Sequence, residues 1–194
     1  MNMVEIVLIT IGVSWEIFAT LECQGALVAK LEKKRLALAV ILTSLWQTIA
    51  LFVGCGLVSL LKQYDVHLSE KAYIGKIIAV LILGGMGLRL FVKAWKNERI
   101  IEKREEGLDV KKTFFAIFKS TIFTVLTGIA FGFLQADLCK VLIMIICVTV
   151  AMVIIGLYTG YRMGYEQKTK AYFLGGLLLI IAGIDVIIRY IVLG

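Results

Sequence analysis

An apolar run near the start of the chain, from Met3 to Ala29, constrains the fold more than any other feature. A membrane-spanning helix needs about 20 consecutive apolar residues, and this run is long enough to form one. Glu16 lies at its centre, inside the stretch Val13 to Thr20. A charged group at the bilayer midplane costs about 2.5–3.5 kcal/mol on insertion scales, and such residues usually mark ion or proton paths. The sequence therefore predicts a membrane protein with a functional acid in its first helix.

The rest of the chain continues this apolar pattern. It is 60% hydrophobic, with a mean hydropathy of +0.94, whereas soluble domains have about 45–50% apolar residues. Six segments are long enough to span a bilayer and are separated by short charged stretches: 3–29, 36–61, 73–94, 113–134, 138–163 and 171–193. We therefore predict an all-α integral membrane protein, residues 1–194, with six transmembrane helices.

The lysine and arginine residues are unevenly divided between the two sets of loops. Most of the 21 lie in or beside three loops, at 30–35, 95–112 and 164–170. The positive-inside rule then places these loops in the cytoplasm and both termini outside, in a multi-pass protein of the cell membrane. The net charge of +7 is explained by these loops, so no nucleic-acid partner is predicted.

A weak internal repeat divides the six helices into two groups. The tripeptide Lys-Ala-Tyr opens both the third and the sixth helix, at 71–73 and 170–172. Because each group has three helices, the second would be inverted relative to the first, as in many transporters. The alternative is chance similarity between apolar helices. The predicted division is repeat one 1–94, cytoplasmic loop 95–112 and repeat two 113–194.

Polar residues of two other helices could surround Glu16. Gln47 lies near the middle of the second helix, and Thr124 and Thr127 share one face of the fourth. One carboxylate with amide and hydroxyl oxygens suits a hard cation such as Mn²⁺ or Mg²⁺. The predicted metal site is therefore Glu16, Gln47, Thr124 and Thr127. The alternative is that these hydroxyls bond their own backbone or a neighbouring helix. No cofactor is predicted beyond a transported cation.

The other reactive residues give weaker indications. Glu5 is expected to be solvated near the outer surface, and Asp185 and Arg189 are spaced to form an i,i+4 ion pair. His67 is expected to be a solvated loop residue. The sequence shows no nucleophile–base set, so we predict no catalytic residues and no enzyme. The cysteines have no metal-ligand spacing and are predicted to be small buried hydrophobic residues: Cys23, Cys55, Cys139 and Cys147.

Several motifs, in their order and spacing, resemble those of the manganese efflux pump family (MntP type), small six-helix exporters. The stretch Ser14–Ala19 is similar to the family's first-helix motif Ser-x-Asp-Ala-Phe-Ala. Three further matches lie in the third, fourth and sixth helices: Leu83-Gly84-Gly85, Phe133-Leu134-Gln135, and Leu174–Leu177 with Ala182-Gly183. The resemblance covers nearly the whole chain and implies a divalent-cation exporter, with manganese as the transported ion.

The chain also departs from the family pattern at charged positions. The second aspartate of the family appears here as Thr127, and an acid of its second helix corresponds to Gln47. Only Glu16 keeps its charge, as the longer homologue of the family's aspartate, and it is predicted to be a lone acid. Mn²⁺ held by one carboxylate would leave a net positive charge in a low-dielectric site, which is costly.

Two functional hypotheses follow from the sequence. In the first, the chain exports a divalent cation, with Glu16 as main ligand or proton carrier and Gln47, Thr124 and Thr127 as neutral helpers. In the second, it is a divergent membrane subunit or scaffold that does not transport. It would then bind a partner protein through the loop 95–112 or a helix face.

Overall fold

The computed structural model of the chain describes residues 1–64, 72–96, 107–164 and 166–189. Within these ranges it contains six helices, all long and apolar enough to cross a membrane. They are α1 (Met3–Ala26), α2 (Lys33–Tyr64), α3 (Ala72–Lys96), α4 (Val110–Phe133), α5 (Leu138–Met163) and α6 (Lys168–Ile187). The predicted all-α architecture with six spans is confirmed. His67, residues 97–106 of the loop 95–112, and the predicted end of the sixth span lie outside the described residues.

Aspartates cap the N-termini of two helices. The Asp109 carboxylate accepts a hydrogen bond from the backbone N–H of Lys111 at 2.9 Å, and Asp137 accepts one from Cys139 N–H at 3.1 Å. These side chains satisfy backbone donors that have no partner inside the helix. The hydrogen bond from Lys140 holds the pKa of the Asp137 carboxyl below its ordinary value. The charged segments therefore define where the spans begin.

The second helix begins earlier than its apolar segment. The hydropathy pattern starts at residue 36, but α2 starts at Lys33, inside the predicted loop 30–35. Hydropathy marks the part of a helix that lies in lipid, whereas backbone hydrogen bonds can continue into the polar region. Arg35 Nη1 donates to the Leu108 carbonyl at 3.2 Å. This bond joins the start of α2 to the segment that precedes α4.

The helices pack most closely in three pairs, α1 with α5, α2 with α4, and α3 with α6. Glycines permit two of these crossings. A Cβ atom on Gly54 of α2 would come within 3.0 Å of the α4 backbone, and one on Gly128 of α4 would come equally close to the α2 backbone. A Cβ atom on Gly160 of α5 would clash with the backbone of Glu22 in α1. Such close approach is typical of membrane helices with small residues at their interfaces.

The first helix lies at the centre of the bundle. It packs against α4, α5 and α6, and its residues from Ser14 to Ala19 are almost all buried. Large apolar side chains of the outer helices point away from the bundle, among them Leu81 and Phe115. Glu16 therefore lies in the protein interior, which is mostly apolar with some buried polar side chains, and not against lipid.

Two predictions about the cysteines are wrong. Cys23 and Cys55 are buried, as expected, but Cys139 and Cys147 are exposed. Both lie on the outward side of α5, where Cys139 occupies the first turn and Cys147 follows about two turns later. An apolar run in a membrane helix can face lipid, so apolar neighbours in the sequence do not establish burial.

The acid near the N-terminus is also placed differently from the prediction. Glu5 is 1% exposed, not solvated. Its Oε2 accepts a hydrogen bond from Asn2 N–H at 3.0 Å, and its Oε1 lies 3.5 Å from Arg189 Nε. The predicted pair of Arg189 with Asp185 is confirmed, at 3.0 Å. Arg189 thus links α1 to the end of α6 and compensates the burial of Glu5.

Candidate functional site

Glu16 forms a salt bridge with Lys93 inside the bundle. The carboxylate is 1% exposed, whereas the Lys93 side chain is 35% exposed. Lys93 Nζ donates to Glu16 Oε1, and the lysine stem spans the distance from the last turn of α3 to the middle of α1. The helix α3 therefore supplies a counter-charge to Glu16 that is not predicted from the sequence.

The second oxygen of the Glu16 carboxylate remains available. Oε2 is buried and makes no hydrogen bond among the described residues. Ser120 and the guanidinium of Arg89 also lie near this carboxylate. An unpaired buried acceptor is costly, so this oxygen is the atom to which a cation or a proton could bind.

An aromatic ring supports the cations around Glu16. Arg89 Cζ lies 4.7 Å from the centroid of the Phe123 ring, and Lys93 Nζ lies 5.2 Å from the same centroid. Lys93 Nζ is also 5.5 Å from the centroid of Tyr172. Cations at these distances are attracted by the negative face of the ring. The two basic groups are thus held near the acid by α4 and α6.

A cavity of about 580 Å³ opens above Glu16. It lies between the end of α3 and the first turns of α4 and α6, and Glu16 and Thr20 of α1 belong to its wall. Its polar lining includes Ser120 and Tyr172. Since α3 ends where α4 and α6 begin, the cavity belongs to the end of the bundle that carries the predicted cytoplasmic loops.

Two of the other predicted ligands contact each other directly. The Thr124 hydroxyl donates to Gln47 Oε1, and both side chains are buried. Gln47 Nε2 is buried without a hydrogen-bond partner among the described residues. The Thr127 hydroxyl donates to the Phe123 carbonyl at 2.7 Å, within its own helix. Gln47 and Thr124 therefore form an interhelical pair, whereas the Thr127 proton is used locally.

One face of α4 connects this pair to Glu16. Ser120, Thr124 and Thr127 are spaced by four and three residues, which places them on a common helix face, and all are buried. Ser120 lies beside Glu16 and Thr124 contacts Gln47. The rise from Ser120 to Thr124 is about 6 Å at 1.5 Å per residue. A strip of hydroxyls therefore runs from the acid to the amide.

The partner of Glu16 had a detectable signal in the sequence. Arg89, Lys93 and Lys96 recur at intervals of four and three, and thus share a face at the end of α3. By position, Lys93 counts among the charges beside the loop 95–112, because it lies near the end of its span. A long side chain at that position can extend toward water or toward the interior, and here it extends inward.

A bundle of six spans with a buried, charge-paired acid and a polar cavity leading to it defines a multi-pass membrane protein with an intramembrane ionic site. Comparison with known families gives the assignment. The family model described as "Putative manganese efflux pump" matches residues 28–187. The chain belongs to this family.

Relatives that carry the same name align along nearly their full length. The protein of Mannheimia succiniciproducens is 24% identical over 194 residues, covering 100% of both chains. That of Acetivibrio thermocellus is 24% identical over 191 residues, covering 98% of this chain and 93% of its own. That of Neisseria gonorrhoeae is 25% identical and covers 94% of each. These relatives are named as pumps and not as enzymes. No solved structure gives a significant match.

The family match begins after α1, at residue 28. Glu16 and its flanking motif therefore lie outside the matched range, although the full-length alignment with the Mannheimia protein includes them. The family assignment thus rests on α2 to α6, and the buried acid of α1 is an independent structural observation.

Proposed function

We propose that this protein exports a divalent cation, with manganese as the substrate, across the cell membrane. The observation that carries the proposal is the Glu16 carboxylate, which is buried in the centre of the bundle with one oxygen unpaired. Membership of a family of manganese pumps supports the choice of ion. A scaffold that does not transport is less favoured, because burying a charged carboxylate lowers the stability of the fold and a scaffold does not need that charge.

The substrate would bind between α1, α2 and α4. Glu16 would be the charged ligand, and Gln47, Thr124 and Thr127 would offer neutral oxygens to the ion further along its path, on the strip that begins beside Glu16. Within the described residues no group of three or more His, Cys, Asp or Glu side chains could hold a metal. A single carboxylate leaves Mn²⁺ with a net positive charge. Binding is then weak enough to allow release, which a transporter needs.

Lys93 gives the site an internal competitor. Its ammonium occupies one oxygen of Glu16, so a metal ion must displace it to bind both oxygens. The displaced ammonium can turn into the cavity, since 35% of the Lys93 side chain is already exposed. After the metal leaves, Lys93 returns to Glu16. The acid is therefore paired both before and after transport, which lowers the cost of the empty site.

We further propose that residues 1–94 and 113–194 form two inverted repeats. The packing of the helices supports this. In such a repeat, α1, α2 and α3 correspond in order to α4, α5 and α6. The pair α1 and α5 then corresponds to the pair α4 and α2, and the pair α3 and α6 corresponds to itself. These three are the closest pairs in the bundle. An inverted repeat allows one half to rock against the other around a central site.

The orientation is proposed from the loop charges, with both termini outside and the loops 30–35, 95–112 and 164–170 in the cytoplasm. Trp95, at the end of α3, is 93% exposed, as expected for an aromatic residue at the membrane interface. A protein partner for the loop 95–112 remains a secondary proposal.

Cysteine labelling tests this orientation. In a variant whose only cysteine is Cys139, a membrane-impermeant maleimide should label intact cells, because Cys139 is exposed beside the outer end of α5. A variant with only Cys147 should resist labelling, because a membrane-impermeant reagent does not enter the hydrocarbon that an outward-facing thiol in the span contacts. A Lys34→Cys variant without other cysteines should react only after permeabilisation. Labelling of Cys139 only after permeabilisation would reverse the orientation.

Metal content of cells tests the transport itself. Expression of the protein in a manganese-sensitive bacterial strain should lower cellular manganese and restore growth in added Mn²⁺, compared with empty vector. Parallel cultures with Cd²⁺, Zn²⁺ and Mg²⁺ measure selectivity. The oxygen ligands favour Mn²⁺ or Mg²⁺ over the softer Cd²⁺. No change in the cellular content of any of the four metals would contradict the proposal.

A further inference from the structure

The cavity above Glu16 carries far more positive than negative charge. Among the described residues, five basic side chains and one carboxylate line it, and the carboxylate is already paired with a lysine. The basic residues come from three helices: Arg89, Lys93 and Lys96 of α3, Lys119 of α4 and Lys168 of α6. Gathering like charges in one concave space costs energy, and a cation substrate gives no reason for it.

Among the described residues, three of these cations lie within salt-bridge distance of no carboxylate. Within the described residues, Arg89, Lys96 and Lys119 form no salt bridge with a carboxylate. Arg89 is instead held against the Phe123 ring. Lys168 is 8% exposed, so one of the five charges is nearly buried in the wall. The cavity therefore combines two held basic groups, Arg89 against its aromatic ring and Lys168 in the wall, with exposed lysines around them.

We propose that this cavity binds an anion with phosphate chemistry, either the phosphodiester headgroup of an anionic lipid or free phosphate. An arginine fork can donate two parallel hydrogen bonds to phosphate oxygens, and lysines add point charges around them. The volume of about 580 Å³ is ample for one phosphate group. Basic pockets between membrane helices at the cytoplasmic side are known to hold lipid headgroups.

The position of the cavity fits both sources of phosphate. It adjoins the end of α3, where the exposed Trp95 marks the level of the headgroups. It also opens toward the side on which we place the cytoplasm. Anion binding does not depend on the proposed transport. It would nevertheless assist a cation that enters here, because a bound phosphate offsets the basic lining that repels a dication.

The test uses the purified full-length protein in a neutral maltoside detergent, in buffers freed of metal by a chelating resin so that no anionic chelator competes. One arm adds sodium phosphate, with sodium chloride at equal ionic strength as reference. The other adds phosphatidylglycerol, with phosphatidylcholine as reference. The thermal unfolding midpoint, followed by tryptophan fluorescence, reports binding, because a ligand that binds only the folded state raises it. Native mass spectrometry gives the stoichiometry.

The cavity variant Arg89→Gln/Lys119→Gln should weaken binding about tenfold or more, since it removes two charge-assisted contacts. The matched control Lys33→Gln/Lys34→Gln loses the same charge at exposed positions of the same end and should bind like the wild type. Both cavity residues are exposed, so the variant should fold. If it does not, Lys96→Gln is the second variant.

The two arms distinguish the sources. Stabilisation by phosphate alone identifies a soluble anion, and stabilisation by phosphatidylglycerol alone identifies a lipid headgroup; either result supports the site. The proposal is overturned if neither ligand stabilises the wild type relative to its reference. It is also overturned if the cavity variant and the control lose equal affinity. Since no manganese is present, a negative result leaves the proposed export untouched, and failure of export leaves anion binding untouched.

Discussion

Replacing Glu16 with glutamine is expected to abolish manganese export while the protein remains folded in the membrane. The substitution keeps the size of the side chain and removes the only charge among the proposed ligands. Removing groups that merely support a metal ligand lowers affinity about 10–100-fold, so losing the charged ligand should cost at least as much. Cells that express Glu16→Gln should retain as much manganese as cells with empty vector.

The Glu16→Gln variant should still fold, because the ammonium of Lys93 can become hydrated when its carboxylate partner is removed. Glu16→Gln leaves Lys93 without its carboxylate, but the Lys93 side chain is 35% exposed and borders the cavity. Its ammonium can therefore be hydrated instead of remaining buried and unpaired. The amount of protein in the membrane fraction, and its elution as a single species in detergent, would establish this.

Two variants control the experiment. Glu32→Gln makes the same chemical change at an exposed residue whose partner is Arg35, and it should export like the wild type. Glu16→Asp keeps the charge with a shorter side chain and restores the aspartate of the family's first-helix motif. It should therefore retain part of the activity. Wild-type manganese content in cells expressing Glu16→Gln, at equal expression, would refute the role of this acid.

The spans of the bundle were predictable because their signal is local. Hydropathy depends only on neighbours in the sequence, and six apolar segments separated by charges leave few alternatives to six helices. The centre of α1 was predictable for the same reason. Its acid had to lie inside the bundle, because a carboxylate against lipid is too costly.

The partners of the acid were not predictable in this way. Lys93 lies 77 residues from Glu16 along the chain, and nothing local indicates whether its side chain points to water or inward. Cys139 and Cys147 show the opposite case, in which an apolar context predicted burial and the residues instead face outward. Which face of a membrane helix meets protein depends on how the helices cross. That is decided by contacts between distant segments.

One consequence of those crossings can be measured within a single helix. Gly54 and Gly56 both lie on α2, two residues apart. A Cβ on Gly54 would clash with the backbone of α4 at Val125, whereas one on Gly56 would meet nothing within 4 Å. The same substitution to alanine should therefore have opposite effects at the two positions.

Gly54→Ala is expected to destabilise the protein strongly, because α2 and α4 must separate to admit the methyl group. Overpacking of a well-packed interior costs about 1–3 kcal/mol, and here the obstacle is backbone, which cannot turn aside as a side chain can. Gly56→Ala should stabilise by about 0.5–1 kcal/mol, the usual gain for alanine over glycine within a helix. The thermal unfolding midpoint in detergent and the yield of protein from the membrane measure both effects. Equal midpoints for the two variants would show that α2 and α4 do not cross at Gly54, and the packing that places Gln47 against Thr124 would then have to be revised.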